Sequence, residues 1–137
     1  MAFGSDFVFT QKLIIDADPG GTDEIFYIMK APANLTIISA YMVSEQTQNA
    51  GTAVGLRLEN WGTAGTAVEG TVTTQLGGTA TASRLTARTP ATATVSGSQD
   101  NIDSGEWLVV RYTEEGAGWI SNDRFQFVFN YRFGVGA

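Results

Sequence analysis

The sequence predicts an all-β fold: an antiparallel two-sheet β-sandwich, jelly-roll-like, with about eight strands. Three observations support it. The chain closes on Arg124 to Phe133, where Phe125, Phe127, Phe129, Tyr131 and Phe133 alternate with Arg124, Gln126, Val128, Asn130 and Arg132. A strand sends alternate side chains to opposite faces, so this is an aromatic face backed by a mostly polar one. Short alternating runs recur along the rest of the chain, separated by clusters of Gly, Pro, Asn and Asp. No stretch long enough for a helix keeps a 3.6-residue apolar period. Eight short antiparallel strands in 137 residues suit a jelly roll; an immunoglobulin-like Greek key is the alternative.

The aromatic run is the element around which the others must pack. Fully burying one ring is worth roughly 1.5–3 kcal/mol gross. Five of them together are comparable with the net stability of a whole domain, about 5–15 kcal/mol. The last strand is therefore expected to be central and not a dispensable tail.

In chain order, residues 1–5 read as a short N-terminal arm and residues 6–137 as one sandwich domain. A first strand is expected over Asp6 to Ile15, with Phe7, Phe9, Leu13 and Ile15 on one face and Val8, Thr10, Lys12 and Ile14 on the other. Pro19-Gly20 marks a turn, since Pro fixes one φ and Gly supplies a positive one. A second strand, Glu24 to Lys30, has apolar residues on both faces and is expected to be buried on both. In the third, Leu35 to Ser44, strict alternation groups Leu35, Ile37, Tyr41 and Val43 against Thr36, Ile38, Ala40 and Met42. The fourth, Thr52 to Glu59, turns Val54, Leu56 and Leu58 inward and Ala53, Gly55, Arg57 and Glu59 outward. Strands are also expected near Ala67 to Thr74 and near Ala91 to Val95, with a loop over Gly77 to Ala82. A polar loop from Ser98 to Gly105 precedes a strand from Glu106 to Thr113. Gly-Thr-Ala triplets recur at 51, 62, 65 and 78 without a fixed period, which is compositional bias and not a structural repeat.

Composition narrows function. Charged residues make up 16% of the chain and the net charge is −6. The eight basic residues are scattered from Lys12 to Arg132, which argues against nucleic acid as partner. There is no Cys and no His. Disulfides, thiolate metal sites, Cys nucleophiles and the commonest general base are thereby excluded. The opening residues lack the basic and apolar regions of a secretory signal, and no run approaches the ~20 apolar residues of a membrane span. The expectation is synthesis in a cytosol, no membrane partner and no cofactor.

Candidate sites are few. Asp16, Asp18 and Asp23 flank Pro19-Gly20-Gly21 and are calcium candidates, because alternating acids beside glycines can wrap the ion in oxygens. The spacing fails the EF-hand pattern, and a solvated acidic turn is the preferred reading, with no metal expected. Asp100, Asp103 and Glu106 form a second acidic loop. Trp61 and Trp119 lie beside Gly-rich loops and are candidates for stacking on a ligand, whereas Trp107 lies in a strand and is expected in the core. Without His no conventional Ser triad can form. No pair of carboxylates stands out as catalytic. The stretch from Gly62 to Ser98 carries only Glu69, Arg84 and Arg88 as charges. Interface cores are depleted in charge, so this stretch is expected to contact a partner.

Three stretches resemble small virion proteins of tailed bacteriophages, the β-sandwich decoration or cement proteins of the capsid exterior. They are Asn49-Ala50-Gly51-Thr52-Ala53-Val54, then Leu58-Glu59-Asn60-Trp61-Gly62-Thr63-Ala64-Gly65-Thr66-Ala67, and Gly105-Glu106-Trp107-Leu108-Val109-Val110-Arg111-Tyr112. The resemblance lies in strand pattern, Gly-Thr-Ala loops and lack of catalytic residues, over roughly residues 6 to 133, and it carries over no functional residue. It implies a non-enzymatic decoration protein that binds the major capsid protein and stabilises the outer capsid surface, as a homotrimer in the virion. The alternative is a carbohydrate- or receptor-binding module of a phage fibre or tail, using Trp61 and Trp119.

Overall fold

In the computed structural model the described residues are 7–16, 24–49, 53–78, 80–81, 84–115 and 124–134, with only the backbone of Glu115. They form β1 (Phe9–Asp16), β2 (Glu24–Lys30), β3 (Leu35–Ser44), β4 (Ala53–Asn60), β5 (Gly70–Thr71), β6 (Ala91–Ala93), β7 (Asn101–Ile102), β8 (Trp107–Glu115) and β9 (Arg124–Phe133). One sheet runs β1-β9-β3-β6, with β7 also on β3; the other runs β2-β8-β4-β5. Every pairing is antiparallel. With the two-residue β7 set aside, β1 pairs with β9, β2 with β8, β3 with β6 and β4 with β5. First pairs with last, and so on inward, as in one long hairpin. Rolling that hairpin up adds the β9–β3 and β8–β4 seams and gives the expected jelly-roll-like sandwich.

The aromatic strand β9 lies between β1 and β3. Phe125, Phe127, Phe129 and Tyr131 are buried and Phe133 is half-buried against the core. Their neighbours across the sandwich are Leu56, Leu58, Leu108, Val110 and Tyr112 of β4 and β8. At the far end Phe9 stacks on Tyr131 with ring centroids 5.5 Å apart, and Phe133 meets both edge-on.

Strand β3 departs from strict alternation. Ile37 pairs with Tyr131 and Ser39 with Asn130, so Ile38 is an extra residue with no partner on β9. This bulge shifts the phase by one. Leu35 and Ile37 point into the core before it, Ala40, Met42 and Ser44 after it, while Tyr41 and Val43 are half-buried. The expected grouping of Leu35 and Ile37 with Tyr41 and Val43 is therefore corrected.

Strand β2 is an edge, not a strand buried on both faces. Phe26, Ile28 and Met29 pack partly on the core, but Ile25 and Tyr27 are exposed. An edge strand has a neighbour on one side only, so its outer apolar residues lose cover. The first strand begins at Phe9, and Phe7 and Val8 before it are exposed. In β4 the expected inward set, Val54, Leu56 and Leu58, is buried.

Between β4 and β8 the chain is held less by ladders than by single bonds. The strand expected over Ala67 to Thr74 reduces to Gly70–Thr71, with isolated bridges Leu56 to Leu76 and Thr73 to Val95. Buried Gln48 ties this region together. Its Nε2 donates to Val54 O at 2.8 Å, and its Oε1 accepts from the backbone N–H of Gly78 and Leu85. Gly77 passes so close that a Cβ there would strike Val54 O, and its φ is +79°. Inside the loop expected from Ser98 to Gly105, Ile102 is fully buried and β7 forms on β3.

Candidate functional site

The outer face of the β2-β8-β4 sheet concentrates the polar and aromatic side chains. Register sets them in two rows. Ile25, Arg111 and Arg57 stand directly across from one another, and beside them Tyr27, Val109 and Glu59. Two arginines opposed across a ladder repel unless a negative charge lies between them. Glu59 supplies it. Arg57 Nε donates to Glu59 Oε2 at 2.8 Å, and Arg111 Nε donates to Oε1 at 3.0 Å and Oε2 at 3.1 Å. The Trp61 indole N–H donates to Oε1 at 3.0 Å. The Glu59 side chain has no exposed surface. Burial pushes its carboxyl up, but the bonds from Trp61, Arg57 and Arg111, with the Arg57 charge, outweigh this and hold it below the usual value.

Loops cover this face at both ends. Trp61 continues the β4–β8 ladder, its N–H donating to Trp107 O at 2.9 Å. The following loop folds back so that Tyr27 Oη donates to Gly65 O at 2.7 Å. Gly65 lies against the Trp107 indole with φ +66°; a Cβ would collide with the ring. Tyr27 meets Trp61 and Trp107 edge-on at 6.2 and 5.5 Å. At the other end the Gln75 side chain lies over Gly55. The Arg57–Arg111 row sits between these covers, with the Arg111 guanidinium 5.7 Å from the centre of the Trp61 ring.

The sequence candidates fall as follows. Trp61, placed by its Gly-rich neighbours among the more exposed tryptophans, is buried at 7% exposure and spends its N–H on Glu59. Trp107, expected in the core, is half-buried on this outer face. Trp119, Asp18 and Asp23 lie outside the described residues. Asp16 is exposed, and its Oδ1 accepts from Arg124 Nε at 2.8 Å. Glu106 of the second acidic loop braces a turn, accepting at Oε2 from Asn60 Nδ2 and the Asp103 N–H, both at 2.8 Å. Among the described residues no three Asp, Glu, His or Cys cluster as metal ligands would. Sequence reasoning missed the Arg57–Glu59–Arg111 cluster. Its local sign is Arg57 and Glu59 two apart on the outward face of a strand, but Arg111 joins them only through register. On the other sheet an open groove of about 270 Å³ runs over Ile14, Val43 and Gln126, flanked by Glu45, Arg88 and Arg124.

No family model matches the chain, and no curated protein matches it. Among solved structures, one chain of the cyanophage Pam1 capsid asymmetric unit is similar. The superposition has a TM-score of 0.57 at 16% identity, covering 98% of this chain and 89% of that one. At this identity the likeness is one of fold, and in fold the chain resembles a component of a phage capsid.

Proposed function

We propose that the protein is a non-enzymatic structural component of a phage virion, a decoration or cement protein seated on the outer capsid surface as a homotrimer. The observation that carries this reading is the fold likeness to a capsid chain over 98% of the protein. The chemistry on the page agrees with it. The one carboxylate of the outer-face cluster is fully covered and held by its own arginines, and Cys and His are absent from the sequence. Cementing needs neither nucleophile nor metal. It needs surface that can be covered. Edge strands β1 and β2 offer backbone for pairing, and the stretch from 62 to 98 offers small, charge-poor side chains. The partner is the major capsid protein, and the chain, made in the host cytoplasm, ends in the virion.

Gradient-purified particles from the virus that encodes the chain test this. The chain is expected to co-purify with the shell in fixed proportion to the major capsid protein, and cryo-electron microscopy is expected to show sandwich-shaped density outside it. Particles that lack the chain, or density confined to a tail or fibre, would overturn the proposal.

A further inference from the structure

We propose that the Arg57–Arg111 row, with exposed Tyr27 and Ile25 beside it, is a docking patch for a carboxylate side chain on a neighbouring subunit of a different virion protein. The inference rests on the virion reading above. Both guanidiniums reach Glu59 through Nε alone, and neither has another hydrogen-bond partner among the described residues. The Nη groups of both arginines thus remain as donors. Their side chains are 33% and 23% exposed, while the Glu59 side chain between them is fully covered. Two positive charges face one negative, so the patch is cationic on a chain whose net charge is −6.

The arrangement is held in place before any partner arrives. Glu59 locks each arginine at Nε, and Arg111 also lies over the Trp61 ring. Little side-chain entropy remains to be lost on binding. A planar guanidinium with free Nη groups matches a carboxylate in two parallel hydrogen bonds. Tyr27, at 52% exposure, is anchored through its hydroxyl to Gly65 O and presents ring surface next to the charge. Arg, Tyr and Trp are the residue types that dominate interface energetics. The overall negative charge disfavours an extended polyanion such as nucleic acid at this one spot. At this charged spot it also disfavours a second copy of the same acidic chain, which the charge-poor stretch from 62 to 98 would meet instead. A single acidic side chain on a different protein is the occupant that fits.

The test compares particles assembled with wild-type chain, Arg57→Gln and Arg124→Gln, the last removing an exposed charge from the central strand of the other sheet. Arg57→Gln keeps the Arg111–Glu59 pair, and its thermal melt establishes that it folds. Retention on particles is measured across a salt series, and each free chain is sedimented. Arg57→Gln is expected to bind roughly tenfold more weakly or worse, with a shallower salt dependence, while Arg124→Gln behaves as wild type. Wild type and Arg57→Gln retained alike on particles would overturn this inference and leave the virion reading standing. Wild type absent from particles at every salt concentration would overturn both. An oligomer of the free chain that Arg57→Gln alone dissociates would make the occupant a second copy and overturn the assignment to a different protein.

Discussion

Glu59 is a carboxylate with no exposed surface on the outer face of a sheet, a place where an acid usually meets water. Water has been replaced by three donors: the Trp61 indole and the Nε of two arginines. Because these outweigh burial and lower its folded pKa below 4.5, the group stabilises the fold above its unfolded pKa. That stabilisation is lost as pH falls through the lower folded value. Glu59→Gln removes the charge that Arg57 and Arg111 share. At neutral pH the substitution is expected to cost about 2–3 kcal/mol, the scale for breaking a charged hydrogen-bonded group out of a covered site. The gap between wild type and Glu59→Gln should then narrow as denaturant melts are taken from neutral pH to below 4.5. A gap that stays constant through that range would mean that the carboxylate is not held by its charge.

At the scale of the element, β9 decides whether the chain folds. Phe127 is fully buried, and Gln126 beside it is half-buried on the opposite face. Phe127→Asp places a charge in the core with no partner, a cost of several kcal/mol, and is expected to abolish folding. Gln126→Asp is expected to leave a folded protein, and circular dichroism with a thermal melt separates the two outcomes. Equal loss from both substitutions would mean that the two faces of β9 are alike. This alternation was legible in the sequence because a period of two is a local property. The bulge at Ile38 was not, because its cue is the register of β3 against β9, not the composition of β3. The edge position of β2 is likewise set by strand order, which Ile25 and Tyr27 do not encode. The same limit hid the outer-face cluster: Arg111 reaches Glu59 across 52 residues of chain, and only the β4–β8 pairing brings them together. Trp61 misled for a related reason. Its Gly-rich neighbours read as an open loop, yet the glycines let that loop fold back over the sheet.

At the scale of the whole molecule, the stretch from 62 to 98 is where the proposed assembly can be tested. Among its described residues the named strands are the two residues of β5 and the three of β6. Thr63, Ala64, Thr66, Ala67 and Val68 are exposed, the last at 44%. Small side chains let another backbone approach closely, and with only three charges in the stretch a partner would have little to desolvate. As open surface the same stretch is poorly solvated for a protein whose average charge is already low. The opposing view is that Thr and Ser are polar enough to face water as a loop. Amide hydrogen exchange on the purified chain and on intact particles separates them. Slower exchange across 62–98 on particles, together with a trimeric sedimentation coefficient for the chain or its released complex, is the expected result. Fast exchange there in both samples from a chain that sediments as a monomer would leave the stretch as solvated loop. A cement role would then have to rest on the edges of β1 and β2 and on the arginine row, whose protection the same experiment reads.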